Sequence, residues 1–153
     1  MTTTTAPAIE QPTFIITEEI HVEASIETTF ASLLAQLGRL NETPDGKPLA
    51  MILEAKPGGR WYRDLGGDDG HLWAFVQSVK RPVLLELWGP LFMSNAATSN
   101  LQYRLKEVDG GSLITFRHTV VGPPPGDDAR LGAGWAALHA RVRAAAETVG
   151  GEE

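Results

Sequence analysis

Residues 14–24, FIITEEIHVEA, carry apolar side chains on alternate positions. Phe14, Ile16, Ile20 and Val22 share one parity with Glu18 as the exception, and Thr17, Glu19, His21 and Glu23 share the other. A period of two predicts a strand with one buried face. At Ser25 the period changes: Ile26, Phe30, Leu33, Leu34 and Leu37 recur at helical spacing, with Ser25 as N-cap, Glu27 in the first turn and Gly38 as terminator. Thr28 and Thr29 lower helix propensity, so this helix is expected to depend on packing its apolar stripe. Residues 39–48, RLNETPDGKP, read as a connection built on a Pro-Asp-Gly turn.

From residue 49 to 121 short strand patterns alternate with turn signals. LAMILEA (49–55) precedes Pro57-Gly58-Gly59, RWYRDL (60–65) precedes a GGDDG turn, and HLWAFVQSVKR (71–81) runs into Pro82, read as an edge, bend or bulge. VLLELWG (83–89) leads into an irregular stretch; NLQYRLKEV (100–108) and SLITFRHTVV (112–121) then flank Asp109-Gly110-Gly111, a hairpin signal. The glycine pair in KPGGRW is not a phosphate cradle: no GxGxxG or GxxxxGK[ST] pattern occurs, and a strand pattern rather than a helix follows it. It reads as a hairpin corner, which makes the neighbouring Trp61 the residue to watch for ligand contact. GPPPGDD (122–128) breaks the sheet pattern. Asp127 or Asp128 then caps a final helix whose stripe is Leu131, Trp135, Leu138, Val142, Ala145 and Val149, with Gly132 and Gly134 expected to allow a close backbone approach.

The predicted order is strand, helix, several antiparallel strands and a long closing helix, which must cover one face of the sheet because neither apolar face can stay wet. The absence of βαβα alternation argues against a doubly wound nucleotide-binding fold. At 153 residues, 42% hydrophobic and 21% charged, the chain suits one domain over residues 14–149, with a loose leader (1–13) and a fraying tail (150–153). A formal charge of −6 gives no support for nucleic acid or an anionic membrane as partner, and no apolar run is long enough to span a bilayer. With no cysteine there is no disulfide framework, thiolate ligand or cysteine nucleophile. No signal-peptide pattern opens the chain, so a soluble cytoplasmic protein is expected.

The candidate chemistry is sparse. Trp61, Trp73, Trp88 and Trp135 are the largest apolar groups, read first as core filling and second as walls of an apolar pocket. Trp73 shares strand parity with Phe75 and Val79; Trp88 shares it with Leu84 and Glu86. Glu86 is either a polar group of the pocket or a sign that this parity faces water. His118 lies on the face of Ile114, Phe116 and Val120, where it would line a pocket, orient a ligand or sit satisfied in the core. Tyr103, with Glu54, Tyr62 and Arg63, is a weaker candidate, for which a rim or solvated face is the preferred reading. The four histidines show no metal-ligand spacing, Asp68-Asp69-Gly70 is a turn rather than a calcium loop, and no serine sits in G-x-S-x-G. No metal, cofactor or catalytic residue is expected.

The pattern resembles the helix-grip fold of the START-like, or SRPBCC, superfamily, which includes birch-pollen-allergen-type proteins. More narrowly, it is similar to the bacterial branch homologous to the C-terminal domain of the Hsp90 ATPase activator. The residues that carry the likeness are SIETTFASL after the first strand, PGGRW, VQSVKRPVLLELWG, YRLKEVDGGSLITFRHT and GWAALHARV. The resemblance implies an α+β domain in which a curved antiparallel sheet wraps a long C-terminal helix. It also implies a cavity between them for a hydrophobic or aromatic small molecule, with Trp61, Trp73, Phe75, Glu86, Trp88, Tyr103, Phe116, His118 and Trp135 as candidate lining residues. Two other readings go with it: an interaction protein for a chaperone partner, and a polyketide cyclase or aromatase-like enzyme in which His118 or Glu86 handles protons. Homodimerisation through an exposed sheet edge or apolar patch is compatible with all three.

Overall fold

The alternation at the N-terminal end builds β1 (Thr13–Val22), and the change of period at Ser25 begins α1 (Ile26–Leu37). The computed structural model describes residues 2–3, 13–91, 95–122 and 128–151. Ser25 is the N-cap, with extended backbone and a side chain that accepts from the Thr28 N–H at 3.1 Å; Gly38 closes the helix. Ile26, Phe30, Leu33 and Leu37 are its buried stripe, as the spacing predicts. Replacing Ser25 with alanine orphans that amide and should cost about 1 kcal/mol, read as a lower denaturant midpoint at unchanged m-value.

Six more strands follow: β2 (Ile52–Leu53), β3 (Arg60–Gly66), β4 (Asp69–Lys80), β5 (Leu84–Gly89), β6 (Thr98–Val108) and β7 (Gly111–Val121). They form one antiparallel sheet in the order β1-β7-β6-β5-β4-β3-β2, so the first strand closes against the last. The closing helix α2 (Asp128–Gly151) packs against β1 and α1. Asp128 is its first residue; the alternative cap Asp127 lies outside the described residues, as do most of the GPPPGDD segment, the leader over 4–12 and the last two residues.

The glycine pair is a corner that also continues the ladder. Gly58 takes a positive φ of 79° and donates to Val76 O at 2.9 Å, while Val76 donates back to Gly59 O at 2.8 Å. A Cβ on Gly59 would stand 1.9 Å from Glu54 O, so the hairpin closes only because that carbon is missing.

Four expectations change. The strand predicted over 49–55 shrinks to two residues, because Leu49 N–H and Met51 N–H bond Asn41 O and Gly38 O in the preceding loop. Along β4 the parity breaks at Trp73: Trp61 pairs with Ala74 and Tyr62 with Leu72, leaving Trp73 as an extra residue in a bulge. The buried stripe of α2 runs through Ala146 (1% exposed), not Ala145, since +4 from Val142 keeps the inner face; Val149 is 51% exposed. Finally, among the described residues no other element's backbone approaches the two helix glycines. A Cβ on Gly132 would meet nothing within 4 Å, and one on Gly134 would meet only Pro44 Cγ at 4.0 Å.

The core lies between the concave face of the sheet and the helices. Leu85 and Leu87 of β5, Leu101, Tyr103 and Leu105 of β6, and Ile114, Phe116 and Val120 of β7 face Leu131, Trp135, Leu138 and Val142 of α2. Burying one such side chain contributes about 1.5–3 kcal/mol. Polar ties fix the helices. Thr29 and Ser112 share a buried hydroxyl hydrogen bond of 2.8 Å, Ser32 Oγ donates to Val142 O at 2.8 Å, and Trp61 Nε1 donates to Leu37 O at 2.7 Å, satisfying a carbonyl that the end of α1 leaves open.

Candidate functional site

Sheet and helix do not close completely over one another. Near β3 and β4 the α1–β2 connection and the N-terminal half of α2 stand away from the sheet and border a half-open cavity of about 670 Å³, within the usual range for small-molecule sites of roughly 300–1,000 Å³. Trp61 and Trp73 form one wall, their rings edge to face with centroids 5.1 Å apart. The bulge makes this wall: it brings Trp73 to the concave side beside the buried Ala74, and its carbonyl accepts from Leu91 N–H at 2.7 Å. Leu131, Trp135 and Leu138 supply the opposite wall and Leu49 an edge, while Asn41, Glu42, Thr43 and Pro44 with Arg130 and Arg141 form a polar rim.

Behind Trp135 the interior is filled. The Trp135 indole N–H donates to His118 Nδ1 at 3.0 Å, and His118 Nε2 lies 2.9 Å from Ser99 Oγ. An indole can only donate, so His118 Nδ1 is the acceptor and the proton of the neutral ring sits on Nε2, where it donates to Ser99. Burial lowers the His118 pKa from 6.5 to about 4, which keeps the ring neutral at physiological pH.

A second chain runs alongside. Tyr103 Oη is 3.0 Å from His139 Nε2, and His139 Nδ1 is 3.0 Å from Glu18 Oε2. The carboxylate accepts, so Nδ1–H donates to it and the neutral ring's Nε2 accepts from the phenol. Burial lowers the His139 pKa while Glu18 opposes that shift, and burial holds Tyr103 well above its ordinary value, so its hydroxyl stays a donor. The order Tyr–His–Glu resembles a proton relay. Tyr103, His118 and His139 are fully buried, are not among the residues lining the cavity, and pin α2 to β1, β6 and β7.

The nine sequence candidates thus fall into three groups. Trp61, Trp73 and Trp135 come together on the cavity. Tyr103, Phe116 and His118 lie in the packed core behind it; Phe116 stacks between Tyr103 and Trp135, with centroids 4.8 and 5.1 Å away. Tyr103 is not at a rim, because the inner parity of β6 is Ser99, Leu101, Tyr103 and Leu105. Phe75, Glu86 and Trp88 are not among the residues that line this cavity: they sit on the outer face, where Phe75 and Trp88 pack at 5.5 Å and Trp88 is 46% exposed. Sharing parity with Trp73 misplaced Phe75, since the bulge reverses the sides between them. Of the two readings open for Glu86, the one in which its parity faces water is the one observed. Glu54 and Arg60 pair at the surface at 2.8 Å, with the guanidinium 4.5 Å over the Tyr62 ring.

Asn41, Arg141 and His139 were missed by sequence reasoning. A signal existed for His139: it and Glu18 are each the polar interruption of an otherwise apolar face, and they meet. Among the described residues no group of three or more His, Asp or Glu side chains could hold a metal ion, and no helix is long and apolar enough to cross a membrane.

A seven-stranded antiparallel sheet gripping a long C-terminal helix, with a cavity between them, defines a helix-grip domain. Solved structures of low sequence identity share this fold. A protein from Chromobacterium violaceum superposes with a TM-score of 0.70 at 14% identity, covering 87% of this chain and 97% of that one. Ara h 8.0201 superposes at 0.63 and 13% identity, with 90% and 99% covered. The di-domain ARO/CYC StfQ of the steffimycin biosynthetic pathway does so at 0.64 and 11%, with 91% of this chain but 52% of that one. No protein-family model and no curated protein matches the sequence.

Proposed function

We propose that the protein binds a hydrophobic or aromatic small molecule between the sheet and α2, and that burial of apolar ligand surface is its mechanism. The observation that carries this is the 670 Å³ cavity walled by three tryptophans and three leucines. Apolar area removed from water contributes about 25 cal/mol per Å², and flat aromatic walls favour a planar ligand through offset or edge-to-face contact. The buried histidines and tyrosine hold the walls in place, and among the described residues the rim carboxylate of Glu42 is the group with a base's chemistry at the cavity.

Titration with 2-methylnaphthalene, followed by tryptophan fluorescence, tests the reading. Wild type should bind it saturably. Gly134→Phe, which places a ring in space where a Cβ meets only Pro44 Cγ at 4.0 Å, should weaken binding at least about tenfold without lowering the unfolding midpoint. Equal binding by both proteins, or none by wild type, would reject the assignment of this cavity.

A further inference from the structure

The cavity's apolar walls offer a ligand almost no donors. Trp61 Nε1 is spent on Leu37 O and Trp135 Nε1 on His118 Nδ1. At one end of the rim, Asn41 and Arg141 bring donors to the cavity. Asn41 is only 4% exposed. Its Oδ1 accepts from Glu42 N–H at 2.9 Å and faces Arg141 Nη2 at 3.4 Å; since both are donors, the oxygen must point to them, and the amide nitrogen is left without a partner among the described residues.

Arg141 is similarly under-used. Its Nη2 makes only long contacts, 3.4 Å to Asn41 Oδ1 and 3.3 Å to Glu42 O. Its Nε is buried and unbonded, because Glu42 Oε2 stands 3.6 Å away, near enough for attraction but too far for a hydrogen bond. A guanidinium held this loosely beside an apolar cavity lacks the acceptor its planar fork fits best. Arg141 brings a positive charge to this end of the rim in a chain of formal charge −6. Glu42, with its side chain 39% exposed, can turn to water when an anion arrives.

Building on the ligand-binding reading above, we propose that the ligand is an aromatic carboxylate. Its ring lies between Trp73 and Trp135, and its carboxylate accepts from the Arg141 guanidinium and the Asn41 amide. Apolar burial supplies affinity, and the Asn41–Arg141 end selects acids over neutral molecules of the same shape.

Two probes of matched shape test this: 2-naphthoate and the neutral 2-methylnaphthalene, titrated into wild type, Arg141→Gln and Arg141→Lys. Arg141→Gln should weaken 2-naphthoate about tenfold or more, the loss of a charge-assisted hydrogen bond, and leave 2-methylnaphthalene within about twofold. Arg141→Lys should recover part of the loss. In wild type, raising ionic strength from about 0.05 to about 0.5 M should weaken 2-naphthoate alone, a readout that stands even where a variant folds poorly. If 2-methylnaphthalene binds while 2-naphthoate is absent, indifferent to Arg141 or indifferent to salt, the acid-selective inference is overturned and the cavity reading survives. If neither probe binds wild type, both fall together.

Discussion

Trp135→Ala should destabilise the protein by about 3–5 kcal/mol, the range for removing a large buried aromatic side chain. Trp135 is 5% exposed, packs against Phe116 at 5.1 Å and donates to His118 Nδ1. Truncation therefore opens a void beside an existing cavity and leaves a buried ring nitrogen without its donor. Trp135→Phe separates the two parts, keeping most of the apolar volume and losing the N–H, for an expected cost of about 1–3 kcal/mol from the unsatisfied acceptor. Denaturant unfolding of the three proteins measures both effects. A loss below about 1 kcal/mol for the alanine variant would show that Trp135 does not join the cavity to the core in the way described.

The second large effect is on pH. His118 has a pKa of about 4 when folded, below its ordinary 6.5, so between these values the unfolded chain binds more protons than the native one. Stability consequently rises with pH across that window: the contribution of this group is complete above about 6.5 and disappears as the pH falls towards 4. The difference corresponds to about 3 kcal/mol, a large share of a typical domain's stability. His139 acts in the same direction, tempered by Glu18. In the comparison of wild type with His118→Gln, whose amide can still accept from Trp135 and donate to Ser99, the variant should lose markedly less stability between pH 7 and pH 4. Parallel curves would mean that His118 is not the buried neutral group that makes the core acid-sensitive.

How much of this could be read in the sequence depends on how regular each element is. β7 is an uninterrupted ladder from Gly111 to Val121, so its period of two places Ile114, Phe116, His118 and Val120 on the inner face correctly. α1 is legible for the same reason, with its cap and stripe both local. β4 is not: a single extra residue at Trp73 reverses the sides, and the sequence bears no mark of it beyond a tryptophan beside a small residue. That bulge decides which aromatic residues reach the cavity: Trp73 lies on it, and Phe75 lies on the outer face against Trp88. The rim was invisible for a different reason. Asn41 and Arg141 are 100 residues apart, and an asparagine in a polar connection looks like turn chemistry until the fold buries it. His139 was passed over because a histidine next to Leu138 fits the edge of a helical stripe as well as its centre.

The cavity can be located directly through the four tryptophans, each of which gives its own indole N–H signal in a ¹⁵N–¹H correlation spectrum. Three of them, Trp61, Trp73 and Trp135, line the cavity, and Trp88 lies on the opposite face of the sheet. Titration with 2-methylnaphthalene should shift the first three in parallel with a single saturation curve and leave Trp88 in place. A shift confined to Trp88, or no saturable shift at any of the four, would contradict the claim that this helix-grip domain binds its ligand between the sheet and α2.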